Sequence, residues 1–165
     1  MPAKYQLARE AAREARAAVP IGPGLQDLVA LAGRWDADVE FLPMDPHLSG
    51  FIIKEEDTDP RIYINSTEPL HRQRFTLAHE IGHLIERQSV ADDQDYSFTD
   101  YRGRAGYDLH EFFADEFAGE LLMPAEPFIQ SLQRGGEVGA SVEFNVSIPA
   151  VQKRIGRLIK NPPEG

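Results

Sequence analysis

The chain has no cysteine, one tryptophan and a deficit of basic charge. Without cysteine there is no disulfide framework, and any metal site must be built from histidine and carboxylate. Lysine and arginine number 17 against 27 aspartate and glutamate, for a net charge of −10. That sign opposes non-specific nucleic-acid binding, which relies on cations along the phosphate backbone. No apolar run approaches the ~20 residues of a membrane span. The opening Met1-Pro2-Ala3-Lys4 leads into a charged stretch without an apolar signal core. These absences predict a cytoplasmic protein with no membrane partner. What is present suits one folded unit: 165 residues, 42% hydrophobic and 27% charged, enough for a single core.

The densest chemistry lies between Arg74 and Ile85, where His79-Glu80-Ile81-Gly82-His83 has the spacing of a zinc-binding helix. Residues four apart share one helix face about one turn apart, so both imidazoles can reach one metal ion. Glu80 points near the metal without needing to bind it, which suits a general base acting on zinc-activated water. Phe75, Leu77, Ala78, Ile81, Leu84 and Ile85 supply the apolar flank of a half-buried helix, and Gly82 leaves room for a close neighbour. Ser66 or Thr67 is a candidate cap, and His71 is expected at the surface.

A second helix is expected from His110 to Met123, stopped by Pro124. Glu111, Ala114, Asp115 and Ala118 share one face by their spacing. Laid against Ala78 and Gly82, that face would present Glu111 as a third ligand. Asp115 could then accept a hydrogen bond from the far nitrogen of a ligand histidine. His110 competes for the ligand role but lies about 100° around the helix from Glu111. The position of Asp115 on the face of Glu111 favours Glu111, with surface exposure as the bland alternative for Asp115. Glu116 and Glu120 are expected in solvent. A longer zinc signature, with glycine at 86 and histidine at 89, is absent, because the chain has Glu86 and Ser89.

Around these motifs, residues 6–19 read as a helix with a solvated charged face that includes Arg9, Arg13 and Arg16. A core helix follows from Leu25 to Gly33. Strands at Val39–Phe41, Gly50–Ile53 and Arg61–Ile64 predict a small three-stranded antiparallel sheet, whose edge could receive an extended peptide. Gln88–Asp108 reads as a polar loop beside the site, with Asp92, Asp93, Asp95, Asp100, Tyr96, Tyr101, Tyr107, Arg102 and Arg104. After Pro124 a short helix ends at Gly135-Gly136. Two more short helices surround Val146–Pro149 in a helix-turn-helix-like arrangement carrying Lys153, Arg154, Arg157 and Lys160. With so acidic a chain, a helical buttress packed on the catalytic part is preferred to a DNA contact.

The run Arg72-x-Arg74-Phe75-Thr76-Leu77-Ala78-His79-Glu80-Ile81-Gly82-His83, followed by Glu111-x-x-Ala114-x-x-Phe117-Ala118-x-x-Leu121-Leu122-Met123-Pro124, resembles the ImmA/IrrE family of metallopeptidases. The strand ending Tyr63-Ile64-Asn65 and the tail from Phe144 to Leu158 fit the same family, so the resemblance spans residues 25 to 160. It implies an α+β, zincin-like fold over residues 1–125, with residues 126–165 as a small helical segment packed on it. It implies a gluzincin-like site with one zinc per chain, held by His79, His83 and Glu111, with Glu80 as base. Members commonly have Asn where this chain has Asp115. The implied substrate is a helix-turn-helix repressor or antitoxin, often encoded on phages or mobile elements. The rival reading is a metal-containing module that sequesters such a partner without cleaving it; a weaker third reading is a DNA-binding regulator that uses the tail.

Overall fold

The computed structural model describes residues 1–90, 96–101 and 108–164, and for residues 89–90 and 98–101 it describes the backbone only. Ala8, Ala12 and Ala15 recur at helical spacing and form the narrow buried stripe of α1 (Lys4–Ala18). Leu28, Leu31 and Ala32 do the same for α2 (Gln26–Gly33). Three strands follow: β1 (Asp38–Leu42), β2 (Leu48–Lys54) and β3 (Arg61–Asn65). The long helix α3 (Leu70–Ile85) runs into a π-helical turn over Glu86–Val90. After it come β4 (Tyr96–Tyr101), α4 (Leu109–Leu122), α5 (Ala125–Phe144) and α6 (Ile148–Lys160). The architecture is α+β.

The sheet differs from the expected three antiparallel strands. It has four strands in the order β1-β3-β2-β4, and it is mixed. β1 runs parallel to β3, with Val39 opposite Ile62, while β2 is antiparallel to both β3 and β4. The connection between β1 and β2 explains the difference. Pro43 and Pro46 have no backbone N–H to give to a hairpin ladder. The buried side chain of Asn65 takes up this connection instead. It accepts from Met44 N at 3.2 Å and donates to the carbonyls of Asp45 (3.3 Å) and Leu48 (2.8 Å). β3 can then lie between β1 and β2.

β4 falls inside the stretch read as a polar loop. Its Tyr-Ser-Phe-Thr-Asp-Tyr composition is rich in strand-forming aromatics and threonine, a signal outweighed by the acidic residues around it. Asp92, Asp93, Asp95, Arg102, Arg104 and Tyr107, named in that reading, lie outside the described residues.

One face of the sheet packs on α3, so Ile52, Ile62 and Ile64 share a core with Leu77, Ile81 and Leu84. The approach is close at Gly50. A Cβ there would stand 2.6 Å from the Tyr63 carbonyl oxygen and 2.9 Å from Thr76 Cγ2. α4 covers the other side of α3 with Phe113, Phe117 and Leu121, and α1 packs on α4. The expected cap of α3 is absent: its N-cap is Pro69, and the Thr67 hydroxyl donates to Asn65 Oδ1 at 2.7 Å. His71 is half-buried.

In the tail, the expected break is a kink rather than a helix end. Gly136 lies inside α5 with φ +68, a conformation that costs glycine little. Asn145, with φ +51, closes α5 in the left-handed region before Ser147 caps α6 by accepting from Ala150 N. Val146, Val151 and Leu158 belong to the same core as α3 and α4.

Arg74 ties this tail to the start of α3. Its guanidinium donates to the carbonyls of Gly22 and Gly24 and to those of Phe144 and Asn145, at 2.8 to 3.1 Å. Desolvation by burial lowers its pKa from the usual arginine range. A buried carbonyl that loses its donor costs about 1–3 kcal/mol. Arg74→Met therefore lowers folding stability by ~3 kcal/mol or more, seen as a lower urea midpoint. Arg74→Lys recovers only part of this, because one ammonium cannot span four acceptors.

Candidate metal centre

His79 and His83 lie one turn apart on the buried face of α3, their rings 4.8 Å apart between centroids and nearly perpendicular. The N-terminal turn of α4 meets them. It is capped by Asp108, whose carboxylate accepts from Glu111 N at 2.9 Å. Glu111 is thereby held at the first turn, pointing at the histidines. One of its oxygens is 3.2 Å from His79 Nε2 and the other 3.0 Å from His83 Nε2. Two nitrogens and a carboxylate at metal distances of ~2.0–2.2 Å would be separated by about 3.3 Å at a tetrahedral angle. The donor set and its spacing therefore fit a zinc-type ion. The Glu111 side chain retains 13% exposure while both histidines keep 1%, so the carboxylate is the side of the cluster that meets solvent.

Glu80 is fully buried. A carboxylate oxygen of Glu80 and ring nitrogens of His79 and His83 lie within 4.8 Å of one another. Asp115, one turn after Glu111, sits behind the cluster with Oδ1 2.7 Å from His79 Nδ1. The bond fixes which nitrogen of His79 is turned to Glu111. His110 turns away from the histidines: its Nδ1 lies 2.7 Å from Glu86 Oε1, and Arg87 Nη1 lies 3.0 Å from the same ring. Lys4 from α1 reaches the other Glu86 oxygen at 2.9 Å.

Two expectations are overturned. Glu116 and Glu120 are buried rather than solvated, and Arg9 is buried with them. α4 is covered on nearly every side, and its carboxylates meet arginines from the first and last helices. Arg9 Nε lies 2.6 Å from Glu116 Oε1, and Arg157 Nη1 lies 2.9 Å from Glu116 Oε2. Arg154 Nη2 lies 3.0 Å from Glu120 Oε1, while Arg16 Nη1 donates to the Glu120 carbonyl at 2.7 Å. Burial lowers the pKa of both Arg154 and Arg16, with the Glu120 carboxylate opposing it. Arg154, expected as a possible DNA contact, is 1% exposed and closed to nucleic acid. Of the four basic residues on α6, Lys153 and Lys160 remain exposed. A signal for this lattice was present: Arg9, Arg13 and Arg16 recur at helical spacing, and the helix from 109 to 122 has four acids and no lysine or arginine.

A family model described as the IrrE N-terminal-like domain matches residues 32–156. The chain belongs to the ImmA/IrrE family of metallopeptidases. The radiation response metalloprotease IrrE of Deinococcus radiodurans is 33% identical over 125 residues, covering 73% of this chain and 35% of that protein. Its counterpart in Deinococcus deserti is 33% identical over 149 residues, covering 86% of this chain and 50% of that protein. The chain thus spans half or less of the length of these relatives. The solved structure of a Mycobacterium tuberculosis transcriptional regulator shares the fold, with a TM-score of 0.66 at 17% identity over 98% of this chain and 49% of that one.

The family's paired motifs meet where α3 and α4 touch. A Cβ added at Gly82 would stand 2.9 Å from Ala114 Cα and 3.2 Å from Phe117 Cδ1. Backbone cannot yield as a flexible side chain can, so Gly82→Ala forces the helices apart. The expected result is a loss of about 1–3 kcal/mol, the usual range for overpacking. Any metal affinity of the site falls with it, since Glu111 and Asp115 withdraw from the histidines. Urea denaturation and chelator competition measure the two effects.

Proposed function

We propose that the chain is a zinc-dependent endopeptidase that cleaves a transcriptional regulator, of the helix-turn-helix repressor or antitoxin kind, in the cytoplasm. The observation that carries this reading is the meeting of both Nε2 atoms with the Glu111 carboxylate, at 3.2 and 3.0 Å, beside a fully buried Glu80. His79, His83 and Glu111 would hold one ion. When bound there, zinc supplies an acidified water and a polarised scissile carbonyl. Asp115 holds the His79 ring in place. Glu80 accepts the proton of the attacking water and passes it to the leaving amine. A pure scaffold has no use for a buried carboxylate at that position, which speaks against sequestration without cleavage. In this reading residues 1–125 bear the site and residues 126–165 are packed on it. Family membership supports peptidase chemistry; the regulator as substrate follows from the family resemblance.

The test is metal content and cleavage together, in wild type, Glu80→Gln and Glu111→Ala. Elemental analysis should find one zinc in wild type and in Glu80→Gln, and a lowered content in Glu111→Ala. Against a proteome-derived peptide library, wild type should create new N-termini. Glu80→Gln should slow this by about 10²–10⁴-fold, the usual contribution of a general base. Metal bound without cleavage by wild type would favour the sequestration module. A wild type that binds no zinc, even after zinc is added back, would sink the peptidase reading.

A further inference from the structure

The carboxylate behind His79 has a second oxygen, and the last helix faces it. Asp115 Oδ1 is engaged by His79 at 2.7 Å, while Oδ2 lies 3.8 Å from Arg157 Nη2 on α6. The latter is an electrostatic contact rather than a hydrogen bond. Arg157 is itself held from several directions. Its Nη1 bonds Glu116 Oε2 at 2.9 Å, its guanidinium lies 5.1 Å from the centre of the Phe112 ring, and its carbonyl faces Arg9 Nη2 at 3.4 Å. One guanidinium thus straddles two buried carboxylates that are neighbours in sequence, Asp115 and Glu116.

We propose that Arg157 is a positioning residue for the metal centre: by spanning Asp115 and Glu116 it holds the Asp115 carboxylate in the orientation that fixes His79. Two buried carboxylates on adjacent residues repel each other, and a buried charge stripped of its partner is strongly unfavourable. Without Arg157, the Asp115 carboxylate loses the cation on its Oδ2 side, and the His79 ring is held less firmly in its orientation. Outer partners of ligand histidines contribute about 10–100-fold to metal affinity. α6 would then belong to the metal site through Arg157. The competing account is that Arg157 only neutralises Glu116 and supports the fold.

The proposal rests on the metal-site reading above, and the experiment separates the two. Zinc affinity of the full chain is measured by chelator competition, with the visible spectrum of the cobalt-substituted protein as a second readout. The variants are Arg157→Gln, Arg157→Lys, Asp115→Asn, the Asp115→Asn/Arg157→Gln double, and Arg154→Gln as a comparison that loosens α6 without touching Asp115. Arg157→Gln is expected to weaken zinc about 10-fold and to shift the cobalt bands. In the Asp115→Asn background it should change nothing further, because the two act through one contact. Arg154→Gln lowers the melting temperature and leaves affinity alone. Arg157→Lys keeps a charge opposite Glu116 but cannot span both carboxylates, so its loss is intermediate. It serves as the readout if Arg157→Gln does not fold, and wild-type affinity in the Lys variant then overturns the proposal. So do unchanged affinity in Arg157→Gln, an equal loss in Arg154→Gln, or full additivity with Asp115→Asn, each leaving the metal site itself standing. A wild type that binds no zinc overturns the metal site and the proposal together.

Discussion

The contact between Gly82 on α3 and Ala114 on α4 sets the distances on which the candidate site depends. A helix pair is normally kept 8–10 Å apart, axis to axis, by the side chains between them. Here one partner has no side chain and the other a single methyl, and a Cβ at 82 would reach within 2.9 Å of the Ala114 backbone. That closeness lets short side chains complete the cluster. Glu111 lies one turn before Ala114 and Asp115 one step after it. One reaches the Nε2 side of the histidines and the other the Nδ1 side of His79. Each imidazole is therefore fixed by a helix other than its own.

Such an approach crowds α4 with partners, and this accounts for the buried charge. α4 meets α3 on one side and α1 on another, with α6 close behind, so its polar residues have nowhere to face water. Glu116 and Glu120 are consequently met by Arg9, Arg154, Arg157 and Arg16. Desolvating so many charges is costly, and pairing in a low-dielectric interior offsets rather than reverses that cost. The lattice therefore adds little to net stability, while the loss of any one member leaves an uncompensated charge. What it does fix is geometry. Leucines could pack in several rotations, whereas each guanidinium here is bound to a particular oxygen.

Local signals in the sequence reached a good part of this, and distant ones did not. The spacing of His79 and His83, the small residues at 82, 114 and 118, and the stop at Pro124 are all local, so the two site helices and their facing surfaces could be read directly. The Gly135-Gly136 pair signals a break for the same reason, although it proves a kink within α5 rather than a helix end, and the turn expected over Val146–Pro149 falls at 145–147. β1 beside β3 was not, because its parallel pairing depends on Asn65 binding a connection some twenty residues away. β4 was hidden by the acidic residues around it. Glu116, Glu120 and Arg9 look like solvated charges in any window of sequence. Only the stacking of α1, α4 and α6 makes them interior.

The tail, for which the acidic composition favours a buttress over a DNA contact, shows the same effect of stacking. A row of basic residues on a helix following a turn suggests a surface offered to DNA, and net charge alone gives only a weak argument against it. Two anchors give a stronger one. Arg74 binds the turn itself through the carbonyls of Phe144 and Asn145, and Arg154 inserts into the interior to reach Glu120 and the Met123 carbonyl. A recognition helix must leave its groove-facing side chains in solvent, and α6 turns two of its four basic residues inward. Those two meet the helix that carries Glu111 and Asp115. Arg154 and Arg157 are thus better understood as counter-charges for an acidic helix that had to be buried to bring its carboxylates to the histidines.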